Sequence, residues 1–138
     1  MDKEDYVSFE TAKLLKENGF DFKCDKCYAY FADDDIRCLN LNYPKSAQSL
    51  VEDRYPCVTL QMAMRWLREA HNIMVSPYAL SLGYYFEIFD LTNRDITGCK
   101  PLYKVGVPNK EDVLSTYEES CETAINYYLE NMLHEMND

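Results

Sequence analysis

The sequence predicts an α+β fold in which an antiparallel sheet built from two hairpins carries helices on one face, in the order α-ββ-α-ββ(β)-α. Helix caps followed by apolar residues three and four positions apart mark amphipathic helices. Short β-rich runs with period-two alternation mark the hairpins between them. A hairpin cannot bury its apolar face alone, so the helices must cover the sheet.

Ser8 caps the first predicted helix, about Phe9 to Asn18, with Phe9, Ala12, Leu14 and Leu15 as its apolar face and Gly19 as a left-handed stop. Cys27 to Ala32, the acidic Asp33-Asp34-Asp35 and the alternating Ile36 to Leu41 read as a hairpin with a solvated tip. The Asp triplet lacks the alternating ligands, central Gly and closing Glu of an EF-hand. Pro44 and Pro56 interrupt Asn42 to Val58, which reads as a connecting loop with one short helical turn near Ala47, Leu50 and Val51.

Thr59 caps the clearest amphipathic helix, Leu60 to about His71, whose stripe of Leu60, Ala63, Met64 and Leu67 is broadened by Trp66 and Ala70. Ile73 to Ser76 starts a strand in which Pro77 requires an edge or a bulge. Gly83 turns it into Tyr84 to Leu91, Thr92 to Asp95 reads as a turn, and Leu102 to Val105 as a third strand. Thr116-Tyr117-Glu118-Glu119 is a capping box. It opens a long helix with the stripe Cys121, Ala124, Ile125, Tyr128, Leu129, Met132 and Leu133. At 138 residues the chain is the size of a single domain, residues 1–138, and the recurring hairpin-then-helix order suggests two loosely related ββα halves.

A net charge of -10 repels phosphate backbones and anionic lipid, so direct nucleic-acid binding is disfavoured and a basic protein partner fits the sign better. No apolar run approaches the length of a membrane span, and Met1 to Asp5 shows no export signal; a cytoplasmic protein with free thiols is expected. The 12 Tyr suit half-buried sheets and contact surfaces. Tyr28, Tyr30, Tyr84 and Tyr85 in the strands, with Arg65 and Arg68 three apart on the second helix, are the candidate interaction surface. The bland reading of that Arg pair is a solvated face matched by acids such as Glu69.

Catalytic signatures are missing. With 4 Gly no phosphate-binding glycine loop can be written, and no cofactor is expected. His71 and His134 read as helix C-terminal caps, and Glu87, between aromatics, is the best candidate for a buried acid. Cys24-Asp25-Lys26-Cys27 has the spacing of half a zinc knuckle, and Cys38 and Cys57 are the remaining ligands that a zinc-stabilised module would need. A redox site at this CxxC would need a helix start, whereas a strand follows.

The runs Thr59 to Glu69 and Thr116 to Ile125 resemble a group of small proteins of no known activity encoded on prophages and other mobile elements of gut anaerobes, and the likeness extends from Ser8-Phe9-Glu10-Thr11-Ala12 onward. The stretch Tyr84 to Glu130 also resembles HicB-type antitoxins, which implies an acidic inhibitor of a basic toxin. The function expected is non-enzymatic protein binding as an accessory or inhibitor-like protein of a mobile element. The alternatives are a small enzyme whose site forms only in three dimensions, and the zinc module. The oligomeric state is open, a homodimer included.

Overall fold

The computed structural model describes residues 5–95, 98–103 and 113–132. The chain divides into two compact units, Met1–Ala63 and Met64–Asp138. The fold is α+β, with antiparallel pairing throughout the described strands. The hairpins do not share a sheet: each unit carries its own, of three strands.

In the first unit Ser8 caps α1 (Phe9–Glu17), its hydroxyl accepting from the Thr11 amide, and Gly19 closes it at φ +89°. Here the left-handed backbone that ends a helix costs glycine nothing. Strand β1 (Lys23–Ala32) turns through Asp33 and Asp34 into β2 (Asp35–Ser46). The expected loop from Asn42 to Val58 is instead the end of β2, a 3-10 turn at Ala47–Ser49 and a short strand, β3 (Arg54–Pro56). Pro44 and Pro56 mislead because β2 and β3 are both edge strands, where a missing amide costs little. The sheet order is β2-β1-β3, so β1 has partners on both sides.

Packing ties α1 to this sheet. The Phe9 ring meets Tyr28, Tyr30 and Tyr55 at centroid distances of 6.0, 6.3 and 5.3 Å. The Lys16 ammonium donates to the Val51 and Arg54 carbonyls at 2.9 and 2.7 Å, fixing the entry to β3. Val7, Ala12, Leu15, Phe20, Cys27 and Ala29 are buried in this unit.

Helix α2 (Leu60–His71) is capped by the Thr59 hydroxyl, which accepts from the Met62 amide, and Asn72 leaves it in the left-handed region. Its stripe is buried as expected, Trp66 included, but Ala70 is exposed. In the second unit β4 (Ile73–Leu80), β5 (Gly83–Asp95) and β6 (Gly98–Tyr103) lie in that order, with Pro77 on the edge strand. The turn expected at Thr92 to Asp95 is absorbed into β5, where the register with β6 shifts between Asp90 and Arg94. An irregular ladder holds a stretch whose residues favour turns.

Thr116 caps α3 (Tyr117–Tyr127), accepting from the Glu119 amide, while the Glu119 carboxylate accepts from the Ser115 amide. This is the capping box displaced by one residue. The helix then widens into a π turn at Tyr128–Met132. Cys121, Ala124, Ile125, Tyr128 and Leu129 are buried, and α3 packs on β4 and β5. Leu133 and His134 lie outside the described residues.

His71 is no charged helix cap: its ring stands edge-on to Trp66 and to Tyr128, and burial lowers its pKa. Unfolded chains take up the proton first as pH falls, so stability is complete above the unfolded value of about 6.5 and is lost below it, down through the folded pKa. Chemical unfolding followed from pH 7.5 to 5.5 should show a larger stability loss for the natural chain than for His71→Phe, which keeps an aromatic ring without a titrating group. Gly83 gives a second check. A Cβ there would press on the Leu114 carbonyl oxygen and lie 2.7 Å from Val113 Cγ1, where Leu114 and Tyr84 exchange backbone hydrogen bonds. Gly83→Ala should lower the unfolding free energy by about 1–3 kcal/mol in a urea titration and speed amide exchange at Tyr84 and Leu114.

Candidate functional site

The β1–β2 hairpin tip, with the segment that enters β3, gathers exposed rings and carboxylates. Tyr30, Phe31 and Ile36 are 41%, 49% and 39% exposed, although strand alternation would bury part of such a run. Tyr30 and Ile36 are direct cross-strand partners, and the Tyr30 hydroxyl donates to the Asp33 carboxylate at 2.6 Å. The Asp53 carbonyl accepts from the Tyr30 amide, which places Asp53 across from Tyr30 on the β3 side.

Phe31 owes its surroundings to a small neighbour. Ala29 is opposite Arg37 on one side and Arg54 on the other, and its short side chain leaves room for both guanidiniums. They lie 4.5 and 5.5 Å from the Phe31 ring centre. Two cations thus share one exposed ring, each contact worth about 0.5–1 kcal/mol at such a site. Asp35 pairs with Arg37 at 3.1 Å and partly neutralises it.

The sequence-predicted interaction residues fall in both units. Tyr28 is half-buried and donates its hydroxyl to the Val7 carbonyl, whereas Tyr30 is exposed at the hairpin tip. Tyr84 stands edge-on to Tyr117, and Tyr85 is stacked on Phe86 at 4.8 Å. Arg65 pairs with Glu69 one helical turn on, at 3.1 Å, and Arg68 is half-buried. Glu87 is half-buried opposite Ser76 in the β4–β5 ladder. Phe31, Ile36, Arg37 and Arg54 were missed as a group; the signal available was apolar residues on both flanks of the Asp turn.

The four cysteines of the zinc hypothesis do not assemble a tetrahedral set. Cys24-Asp25-Lys26-Cys27 lies within β1 rather than in the turn a knuckle requires. Direct cross-strand pairs share a face, so Cys27 with Leu39 and Tyr28 with Cys38 place Cys27 and Cys38 on opposite faces. Burial pushes the Cys24 thiol up to about 11, and its sulfur donates to the Lys45 carbonyl. Among the described residues no three His, Cys, Asp or Glu side chains are placed to hold a metal ion, the Asp turn included.

No protein-family model, curated protein or solved structure matches the chain. The candidate site therefore stands on its own geometry. Among the described residues no helix is long and apolar enough to cross a membrane. Protein purified without chelator should carry far less than one equivalent of zinc by elemental analysis, and its thermal unfolding should not move on adding a chelator.

Proposed function

We propose that the chain is a non-enzymatic protein-interaction protein whose contact surface is the acidic, aromatic tip of the β1–β2 hairpin. One observation carries the reading: Tyr30 with its cross-strand partner Ile36, and Phe31 on the other face of the strand, all remain exposed at a tip whose turn is Asp33-Asp34-Asp35. Exposed aromatics provide large contact area at low entropic cost, and binding surfaces are enriched in them. The carboxylates add a field that attracts a cationic partner and repels nucleic acid, in keeping with the net charge of -10. The partner that fits is a basic protein that covers the rings with apolar surface and meets the carboxylates with Lys or Arg. A place on a phage or mobile element is what the resemblance of Thr59 to Glu69 and Thr116 to Ile125 implies, an inhibitor-like role is what the resemblance of the stretch Tyr84 to Glu130 to HicB-type antitoxins implies, and a cytoplasmic setting suits the free thiols.

Affinity capture from lysate of the source organism at low salt tests this, with the natural chain and a Tyr30→Ala/Phe31→Ala variant side by side. The expected result is a reproducible basic protein held by the natural chain, bound about 30-fold more weakly or worse by the variant, as for a hot spot worth about 2 kcal/mol. Recovery should also fall as salt rises. Equal capture by both chains, or no reproducible partner while the variant keeps its native circular dichroism, would count against the proposal.

A further inference from the structure

The strand order places Cys38, on β2, and Cys57, one residue past β3, on either side of the central strand β1. Cys38 is opposite Tyr28, and the Cys57 amide donates to the Lys26 carbonyl, so both side chains share the face of Lys26 and Tyr28. Their sulfurs lie 3.5 Å apart and share a hydrogen bond, although the residues are 19 apart in sequence. We infer that Cys38 and Cys57 are a reversible dithiol, oxidised to an intramolecular disulfide by low-molecular-weight disulfides of the glutathione type.

The two thiols are unequal. Cys38 is exposed, while Cys57 is buried, and burial first, then its bond with Cys38, pushes the Cys57 thiol up to about 12. Cys38 is therefore the accessible nucleophile and Cys57 the resolving thiol. Lys26 is the cation beside both sulfurs and partly offsets the rise at Cys57. Closing the bond needs the sulfurs to approach by about 1.5 Å and the two outer segments to draw together over β1, since strands two apart in a sheet are about 9.5 Å apart, beyond the Cα span of a disulfide. Cys38 is on an outer strand and Cys57 lies beyond the last residue of β3, so neither belongs to the doubly paired central strand.

In the first step the Cys38 thiolate attacks one sulfur of glutathione disulfide. A Cys38–glutathione bond forms, the glutathione S–S bond breaks, and one glutathione leaves as a thiolate that takes up a proton. Cys57 then loses its proton to solvent and attacks Cys38 Sγ, expelling the second glutathione thiolate. Two protein thiols are oxidised and one glutathione disulfide is reduced to two glutathiones; excess thiol reverses the sequence. Cys24 and Cys27, both buried in β1, are not part of this exchange despite their CxxC spacing.

The test is oxidation of the reduced full chain with glutathione disulfide, followed by acid quench, alkylation, trypsin and mass spectrometry without reduction. Cleavage after Lys23, Lys26, Arg37, Lys45 and Arg54 puts Cys24, Cys27, Cys38 and Cys57 on separate peptides. The expected product joins the Cys38 and Cys57 peptides, leaves Cys24 and Cys27 alkylated, and reverts with dithiothreitol. Cys57→Ser should stop at the Cys38–glutathione adduct, and Cys38→Ser should slow loss of the Cys57 thiol at least tenfold. A Cys24–Cys27 link in place of the Cys38–Cys57 link, a Cys38 that stays fully alkylatable in excess glutathione disulfide, or a Cys57→Ser chain that accumulates no adduct would overturn the inference.

Discussion

The exposed hairpin tip and the Cys38–Cys57 contact of the first unit both depend on β1 having a hydrogen-bonded partner along each edge. A strand of ten residues with one bare edge would expose unpaired amides and carbonyls. The short β3 covers the part of that edge from Cys27 to Ala29, held at its entry by the Lys16 ammonium on two carbonyls. Because β3 arrives there, Arg54 comes to lie across Ala29 from Arg37, and Cys57 reaches over the face of Lys26 toward Cys38. Three residues of edge strand thus set the environment of the exposed Phe31 ring and the meeting of two thiols.

The second unit shows the same economy by another route. Helix α3 lies on β4 and β5, and its π turn presents Tyr128 to the His71 ring at the end of α2. Burial of Tyr128 pushes its hydroxyl up to about 12, with Asp90 adding to the effect, so the ring stays neutral against a neutral imidazole. Both groups would be charged only at a desolvation cost. An aromatic contact between uncharged rings therefore joins the two helices at this point, where a dipole-stabilised cation was the expectation for His71.

An exposed apolar tip is a liability that a folded domain usually hides. Here the turn is acidic and two guanidiniums lie on the Phe31 ring, and charges at an edge hairpin are among the devices by which proteins discourage edge-to-edge pairing.

The sequence by itself determined the local elements: the caps at Ser8, Thr59 and Thr116, the stripe of α2 from Leu60 to Leu67 and that of α3 from Cys121 to Leu129, the left-handed Gly19 and the Asp turn of the first hairpin all stand in the structure. Each is written by residues within four or so positions of one another, the range over which helix and turn physics acts. Only the tertiary structure decided that the hairpins belong to separate sheets, that residues 54–56 form a strand, and that Cys57 meets Cys38 instead of joining Cys24 and Cys27. Strand partnership is a choice among segments far apart in the chain, settled by register and by which edges need cover. No periodicity along a single segment records it.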